Sequence, residues 1–404
     1  MAMTMAMDWR YLPEDVLSLV LVRLPLASQA RLRCVCKQWR SILRSRELQQ
    51  LRSLIVPSQR PWFVFLASNG SPSNWLEAYD PADEQWHKLA LKLGESSRMR
   101  ILVASAGGMI CFATVNRRIF RGSTVWISNP FTGFKKTLPC PPSRFFSNDT
   151  DDAEDLRERF QALVMNPTTG GFKLLVEGYY RTLDVYDSAS NTWTTTEMDL
   201  PSCVDFSISR PFCKGVLYCL ARSPTRVVTY DVTTDMWNDH LALISSSIHS
   251  PCLIEHRGEV LLVGALARSG QDAEAGKVWG ISIWMLMRSL KNPWEEVASM
   301  PPALLNAYLE RSHGNLLYFV GKGDLVYFAS VPSSSKKSIS ESLVYDLVIQ
   351  KWYWVPECLM NFKHCMQRGS CVSQPVLRSA FGLPNMLACE AKVVNDDDDD
   401  GGGL

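Results

Sequence analysis

The chain has 404 residues, 46% hydrophobic and 21% charged, with a formal net charge of +1. That length suits more than one domain or one large repeat fold, and the balanced charge gives no reason to expect a nucleic acid partner. The opening MAMTMAMDWR lacks the apolar core of a secretion signal, the longest apolar runs, such as residues 280–287, are too short for a membrane span, and the twelve cysteines are scattered without a C-x-x-C pair.

Residues 1–7 are expected to be disordered, and residues 8–55 to form a small helical domain. Leu12-Pro13 and Leu24-Pro25 each open a run of helical period. After Pro13, Val16, Leu17, Val20, Leu21 and Leu24 fall at the spacing of one helix face, with Glu14 and Asp15 in the first turn where the helix dipole favours acids. After Pro25 a second periodic run carries Leu32, Val35, Cys36, Trp39 and Ile42 or Leu43. Helices this short bury little surface alone, so their apolar stripe either caps the rest of the chain or awaits a partner. The segment is basic, with nine Lys or Arg against four acids, net +5, which suits an acidic partner surface.

These residues resemble the F-box. Leu12, Pro13, Leu17, Leu24, Pro25, Leu32, Arg33, Val35, Cys36, Lys37, Trp39 and Arg40 stand at matching positions. Gln29 and Ala30 depart from the pattern, where a larger apolar residue is usual, and are expected to weaken the helical core locally. The resemblance implies docking to a Skp-type adaptor, and through it to cullin and RING subunits of a ubiquitin ligase. It implies adaptor contacts by Leu12, Pro13, Leu17, Val20, Leu24, Pro25, Leu32, Val35, Cys36 and Trp39.

The next 330 or so residues, 60–390, read as a repeat array. Tyr79-Asp80 leads to Trp86, Tyr186-Asp187 to Trp193, Tyr230-Asp231 to Trp237 and Tyr345-Asp346 to Trp352, always at the same spacing. Two degenerate copies fill the gaps: Ser128-Asn129-Pro130 before Phe134, and Ile283-Trp284 before Trp294. The closing aromatics recur about every fifty residues, a period of kelch type. Glycine followed by a short apolar strand recurs upstream, at Gly107-Gly108, Gly171, Gly215, Gly258 and Gly314. The segments between Asp and Trp read as hairpin turns, with each Trp packing back between neighbouring sheets. Leu138-Pro139, Leu200-Pro201 and Met300-Pro301 are expected to end blades, because proline cannot continue a central ladder.

Repeated four-stranded units close most simply into a β-propeller, and six copies predict six blades. The fold class expected is therefore α+β and multidomain: a short helical F-box, then an all-β kelch-type propeller. Together the two parts resemble plant F-box/kelch-repeat proteins and the related F-box-associated β domains. The run from Pro61 to Leu66 is expected to share a blade with strands from residues 369–373 and 376–381, removing an open sheet edge. Five consecutive aspartates and three glycines near the end cannot pack, so residues 391–404 are expected to be disordered.

No catalytic motif is present: there is no G-x-S-x-G, P-loop or H-E-x-x-H, and the six histidines are dispersed over the repeats. The one Cys/His cluster, Cys358, His364 and Cys365, lacks a fourth ligand, so neither metal nor cofactor is expected. Scattered cysteines in such a chain read as reduced thiols, placing it in cytoplasm and/or nucleus. The expected function is that of a non-catalytic substrate receptor in a ubiquitin ligase complex, with a propeller scaffold carrying a vestigial F-box as the alternative. Loops carry the target site in such folds, and Phe145 and Phe146 beside an acidic run, with Arg222 and Arg226, are the candidate target-binding residues. The target itself is a protein that the sequence does not name.

Overall fold

The computed structural model describes residues 12–45, 60–66, 75–90, 99–115, 124–130, 134–142, 161–166, 171–178, 182–198, 210–221, 225–238, 242–267, 278–287, 293–312, 316–331, 342–356 and 386–389, with residues 47, 48, 51 and 55 besides. The termini expected to be disordered, residues 1–7 and 391–404, lie outside the described residues.

Three short helices come first: α1 (Glu14–Arg23), α2 (Leu26–Leu32) and α3 (Lys37–Ile42). Both Leu-Pro pairs act as punctuation. The Pro13 carbonyl accepts the Leu17 N–H at 2.9 Å and the Pro25 carbonyl accepts the Gln29 N–H at 3.0 Å. At a helix start, the missing proline N–H removes no intrahelical bond. The periodic run after Pro25 is divided into two helices by a turn at residues 33–35. Cys36 restarts it in extended backbone, its Sγ accepting the Trp39 N–H at 3.4 Å.

Leu17, Leu21, Val22, Ile42, Leu43 and Leu48 are buried together, with Leu12, Leu24, Leu32 and Trp39 packed against them. Gln29 does not weaken this core as its polarity suggests. It is buried, and its side-chain amide donates to the Leu21 carbonyl at 2.7 Å and the Leu24 carbonyl at 3.1 Å. Those acceptors lie at the end of α1, where the regular ladder runs out and the Leu21 carbonyl otherwise takes only the Leu24 N–H at 3.3 Å. Replacing Gln29 by Ala is expected to destabilise the helical unit by about 1–3 kcal/mol, because buried acceptors lose their donor. Urea melts followed by helical circular dichroism measure this, and an unchanged midpoint would show that solvent replaces the amide.

Six four-stranded antiparallel sheets follow, each strand hydrogen-bonded to the next in sequence. The first holds β1 (Trp62–Leu66), β2 (Trp75–Asp80) and β3 (Gln85–Ala90); the second β4 (Met99–Ala106), β5 (Met109–Val115), β6 (Thr124–Asn129) and β7 (Phe134–Thr137). The third holds β8 (Gln161–Met165), β9 (Phe172–Glu177), β10 (Thr182–Asp187) and β11 (Thr192–Glu197). The fourth holds β12 (Phe212–Cys213), β13 (Val216–Ala221), β14 (Arg226–Asp231) and β15 (Met236–Asn238). The fifth holds β16 (Ile248–His256), β17 (Glu259–Ala267), β18 (Val278–Leu286) and β19 (Trp294–Ser299). After α4 (Pro302–Ser312), a helix that the sequence reading did not anticipate, the sixth holds β20 (Leu316–Lys322), β21 (Leu325–Val331), β22 (Leu343–Asp346) and β23 (Lys351–Trp354). A last strand, β24 (Met386–Cys389), returns to the first sheet and pairs with β1, Trp62 opposite Cys389 and Phe65 opposite Met386. The chain ends therefore share a blade. The closing strand is β24, whereas the candidates at residues 369–381 lie outside the described residues.

The six first strands ring the axis, with β24 beside both β4 and β20. This is a six-bladed propeller. Its core lies between blades: Tyr186, Phe172 and Leu174 of the third blade pack with Cys111 and Ile127 of the second, and Tyr345 and Phe328 of the sixth with Ile281 and Ile283 of the fifth.

The Tyr-Asp…Trp repeat has a mechanical explanation. Each Tyr lies directly opposite its Trp across a hairpin, with ring centroids 4.4 to 5.4 Å apart in the four copies. Each Asp folds the turn by accepting the N–H two residues on: Asp80 from Ala82, Asp187 from Ala189, Asp231 from Thr233 and Asp346 from Val348, at 2.8 to 2.9 Å. The residue before the last strand is left-handed in all four, at Glu84, Asn191, Asp235 and Gln350. Where it is Asn191 or Asp235, its side-chain oxygen accepts the Tyr186 or Tyr230 hydroxyl at 2.6 Å. Three indoles bridge blades: Trp86 donates to the Pro356 carbonyl, Trp193 to that of Pro139 and Trp294 to that of Leu243, at 2.8 to 3.0 Å.

Two degenerate assignments shift. Phe134 lies opposite Asn129, at the position of the Asp and not of the Tyr, because it follows one residue sooner than the Trp of the full copies. Trp294 lies opposite Leu286, three residues beyond the expected Ile283, because the hairpin is longer. In the sixth blade the turn glycine is Gly323, at φ +58°, and not Gly314, which precedes the first strand and lies outside the described residues.

Candidate functional site

The site has two parts, set by which ends of the strands each connection joins. In an antiparallel blade, the first-to-second and third-to-fourth turns fall at one end. Here they are tight: residues 107–108, 214–215 and 257–258 between first and second strands, and 81–84, 188–191, 232–235 and 347–350 between third and fourth. Second-to-third connections and those between blades fall at the opposite end and are longer, such as residues 268–277 and 332–342. The chain enters the ring at the start of β1, a second strand. The helical unit is therefore joined to the tight-turn rim, and the long connections form the far rim.

The tight-turn rim is stitched by polar contacts between blades. Arg60 pairs with Asp346 at 3.0 Å across the closure, Lys214 with Glu259 at 3.0 Å and Arg257 with Asp324 at 3.2 Å. The Trp62 ring stacks on His87 at 5.0 Å. Burial, and then the positive charge of Arg31 in α2, hold the His87 imidazole below its ordinary pKa, with Asp83 opposing.

Asp80, Asp83 and His87 bring ligand atoms within 4.8 Å of one another. Asp80 is already committed to its turn, and the nearby cations are those of Arg60 and Arg31. The group reads as part of the first blade's turn, set among these cations. Burial pushes the Asp80 carboxyl up to about 6, with the Ala82 N–H and Arg60 opposing the rise and Asp83 adding to it. A folded value above the unfolded one makes the contribution to stability full below about pH 4 and lost as pH rises through the folded value. Asp80→Asn retains an oxygen for the Ala82 N–H. It is expected to melt above the native chain at about pH 8, the gap closing by about pH 4, in calorimetric melts across that range.

On the helical unit, the buried stripe of α1 is flanked by a second, exposed one. Val16, Leu19 and Val20 are 36 to 38% exposed, and Val35 in the turn before α3 is 60% exposed. Three apolar residues at i, i+3 and i+4 on a solvent-facing helix form a contiguous patch that no described residue covers. Of the residues expected at an adaptor surface, Val20 and Val35 lie on it, and Pro13, Pro25 and Cys36 are exposed at the helix starts. Leu17 is 1% exposed and belongs to the internal core; Leu12, Leu24, Leu32 and Trp39 are partly buried against that core. The sequence reading missed Val16 as an exposed residue and Leu19 altogether, since a single-face pattern does not show which of two adjacent stripes faces inward.

The candidate target-binding residues divide differently. Phe145, Phe146 and Arg222 lie outside the described residues, as do Cys358, His364 and Cys365. Arg226 is buried in β14, where its backbone bridges to Leu243, so it is not an exposed loop cation. The aspartates and tryptophans of the repeat (Asp80, Asp187, Asp231, Asp346, Trp86, Trp193, Trp237, Trp294 and Trp352) sit in turns and hairpins of the blades.

Comparison with known proteins agrees with both halves. Residues 9–51 match the F-box domain, and residues 54–347 match the F-box associated beta propeller domain. An F-box/kelch-repeat protein of Arabidopsis thaliana is 27% identical, over 90% of this chain and 88% of its own length. F-box only protein 6 of the same plant is 25% identical over 87% and 70%, and the protein UNUSUAL FLORAL ORGANS 24% identical over 87% and 79%. Among solved structures, TolB from Acinetobacter baumannii aligns at a TM-score of 0.44 and 10% identity, over 78% of this chain and 70% of that one. The family match covers far more than half of the chain, with the helical plug and the six-bladed ring in the order that the strands require. The chain belongs to the F-box proteins that carry an F-box associated β-propeller.

Proposed function

We propose that this chain is the substrate-recognition subunit of a Skp–cullin–F-box ubiquitin ligase. The observation that carries the reading is the exposed apolar stripe Val16, Leu19 and Val20, with Val35, on a helical unit whose own core is already complete. An apolar patch of this kind at helical spacing fits a partner's helices. Val16, Val20 and Val35 press on a Skp-type adaptor, with the Leu12-Pro13 and Leu24-Pro25 corners fixing the helix directions. The adaptor connects the chain to cullin and RING subunits.

The ring presents its long-connection rim away from the helical unit, so a protein target is held on the side opposite the adaptor. No side chain of this chain takes part in ubiquitin transfer. Holding target and ligase in one assembly raises the effective concentration of target lysines near the loaded enzyme, and proteasomal degradation follows. No cofactor is required, and the working compartment is cytoplasm and/or nucleus.

Co-expression with a Skp-type adaptor tests the reading. A one-to-one complex that recruits cullin and RING subunits and ubiquitinates co-purifying protein is the expected result. A folded chain that forms no complex with the adaptor overturns it and leaves a propeller scaffold with a vestigial F-box.

A further inference from the structure

The long-connection rim is not level. Second strands start at the tight turns, so extra length extends toward the opposite rim. β17 and β18 have nine residues each, whereas no other described second or third strand exceeds seven. At about 3.3 Å per residue, the fifth blade reaches about 7 Å beyond its neighbours. At its tip an indole is held outside. Ile281, Ile283 and Met285 of β18 face the core between the fifth and sixth blades. Strict alternation would send Trp279 into that core and Val278 away from it. A bulge reverses this: Leu266 pairs with Gly280 but Ala267 with Val278, so Trp279 is the extra, unpaired residue. Val278 packs on the core, and Trp279 is 61% exposed. An indole has about 150–250 Å² to bury, and the fold leaves most of it in water.

The same end of the blade is irregular a second time. β16, on the other side of β17, is bulged between His249 and Cys252, with Ser250 exposed at φ +51°. Among the described residues, the other left-handed non-glycine positions all stand in tight turns, and Ser250 alone lies within a strand. Backbone of this kind gathers where a ligand is held. The surface around Trp279 is uncharged. The Met300 N–H donates to the Ile281 carbonyl at 2.8 Å, which brings the exposed Pro301 and Pro302 to this end. Residues 245–250, 264–267, 278–282 and 299–306 include no Asp, Glu, Lys or Arg, unlike the tight-turn rim with its ion pairs. Residues 268–277, which join β17 to β18, carry two cations and two anions in sequence. A charged segment laid here would lose hydration without gaining a partner.

We propose that Trp279 anchors a peptide-binding site at the tip of the fifth blade, and that the site takes an uncharged, apolar segment of a protein. The indole covers apolar side chains of the segment, and Pro301 and Pro302 extend the contact. A large aromatic side chain held in the open by the backbone is the kind of residue that carries most of the energy of such a contact. That the segment belongs to a ubiquitination target rests on the function proposed above; the site itself does not.

A displayed library of short random peptides, selected on the full-length chain, tests the site. Enriched peptides are expected to be rich in apolar residues and poor in charged ones. Their affinity is expected to fall about tenfold or more for Trp279→Ala and less than about threefold for Trp279→Phe, which keeps an aromatic ring. Melting stays native in both variants, since the side chain faces water. Affinity is expected to be the same at low salt and in about 1 M salt, where contacts between charges are screened. Peptides that bind the alanine variant equally, peptides rich in charge, or no peptide that prefers the native chain each overturn the proposal. A native dimer that Trp279→Ala dissolves, seen by sedimentation, overturns it in favour of a second copy as the occupant. A lysine-bearing carrier fused to a selected peptide is expected to be ubiquitinated by the native chain with adaptor, cullin and RING subunits, and not by Trp279→Ala. A carrier left unmodified by a chain that binds both adaptor and peptide rejects a target role for the site. Peptide binding without adaptor binding rejects the receptor reading and leaves the site standing.

Discussion

Ending the chain after Asn385 is expected to lower the melting temperature by more than about 10 °C and to broaden or abolish the cooperative transition, whereas ending it after Cys389 leaves both unchanged. The difference between the two truncations is β24 alone. Without it β1 loses its inner neighbour, and Trp62, Phe63 and Val64, now 2%, 0% and 0% exposed, face an open edge. Each such side chain contributes about 1.5–3 kcal/mol through burial, so the loss is several kcal/mol. The ring also opens, because β24 stands between β4 and β20 around the axis. An unpaired edge in an opened propeller is a template for pairing with other chains, so aggregation accompanies the loss. Differential scanning calorimetry of the two truncations decides the point. Equal melting of both would mean that closure is carried by contacts between blades rather than by the shared sheet.

The second large effect separates the two stripes of α1. Val16→Asp with Val20→Asp is expected to weaken adaptor binding by more than about 100-fold, because charges enter the centre of an apolar contact. Both side chains already face water, so helical content and melting stay native. Leu21→Ala acts in the opposite order. Leu21 is 1% exposed within the helical core, and its truncation is expected to cost about 2–5 kcal/mol, melting the unit and losing binding with it. Binding titrations paired with hydrogen exchange of the α1 amides distinguish the cases. Native binding by the double aspartate variant would sink the assignment of this stripe to the adaptor.

Four copies of Tyr-Asp…Trp at one spacing made the blade count legible without coordinates. The reason is local: the Asp turn, the left-handed residue before the last strand and the Tyr-Trp pair all lie within eight residues, so the sequence writes the whole hairpin. The fifth blade was read three residues out of register because its hairpin is longer and has no Asp to mark the turn. α4 went unforeseen because it lies between blades, outside the repeat. At the helical end, Leu12-Pro13 and Leu24-Pro25 mark the starts of α1 and α2, while the pattern does not place the break before α3, because Val35 continues the apolar period although it stands in a turn.

By itself, then, the sequence determined the helical plug, the six repeats and the sharing of one blade by the two chain ends, since each depends on short-range pattern or on the requirement that a sheet edge be closed. Only the tertiary structure decided which strand closes the ring, because Met386–Cys389 carries no signal that distinguishes it from other short apolar runs. Only it turned Gln29 from an apparent defect into the donor that satisfies the end of α1. The division of α1 into an inward and an outward stripe, and the placing of the helices at the tight-turn rim, likewise depend on which neighbours the chain brings back from hundreds of residues away, and a local pattern does not record them.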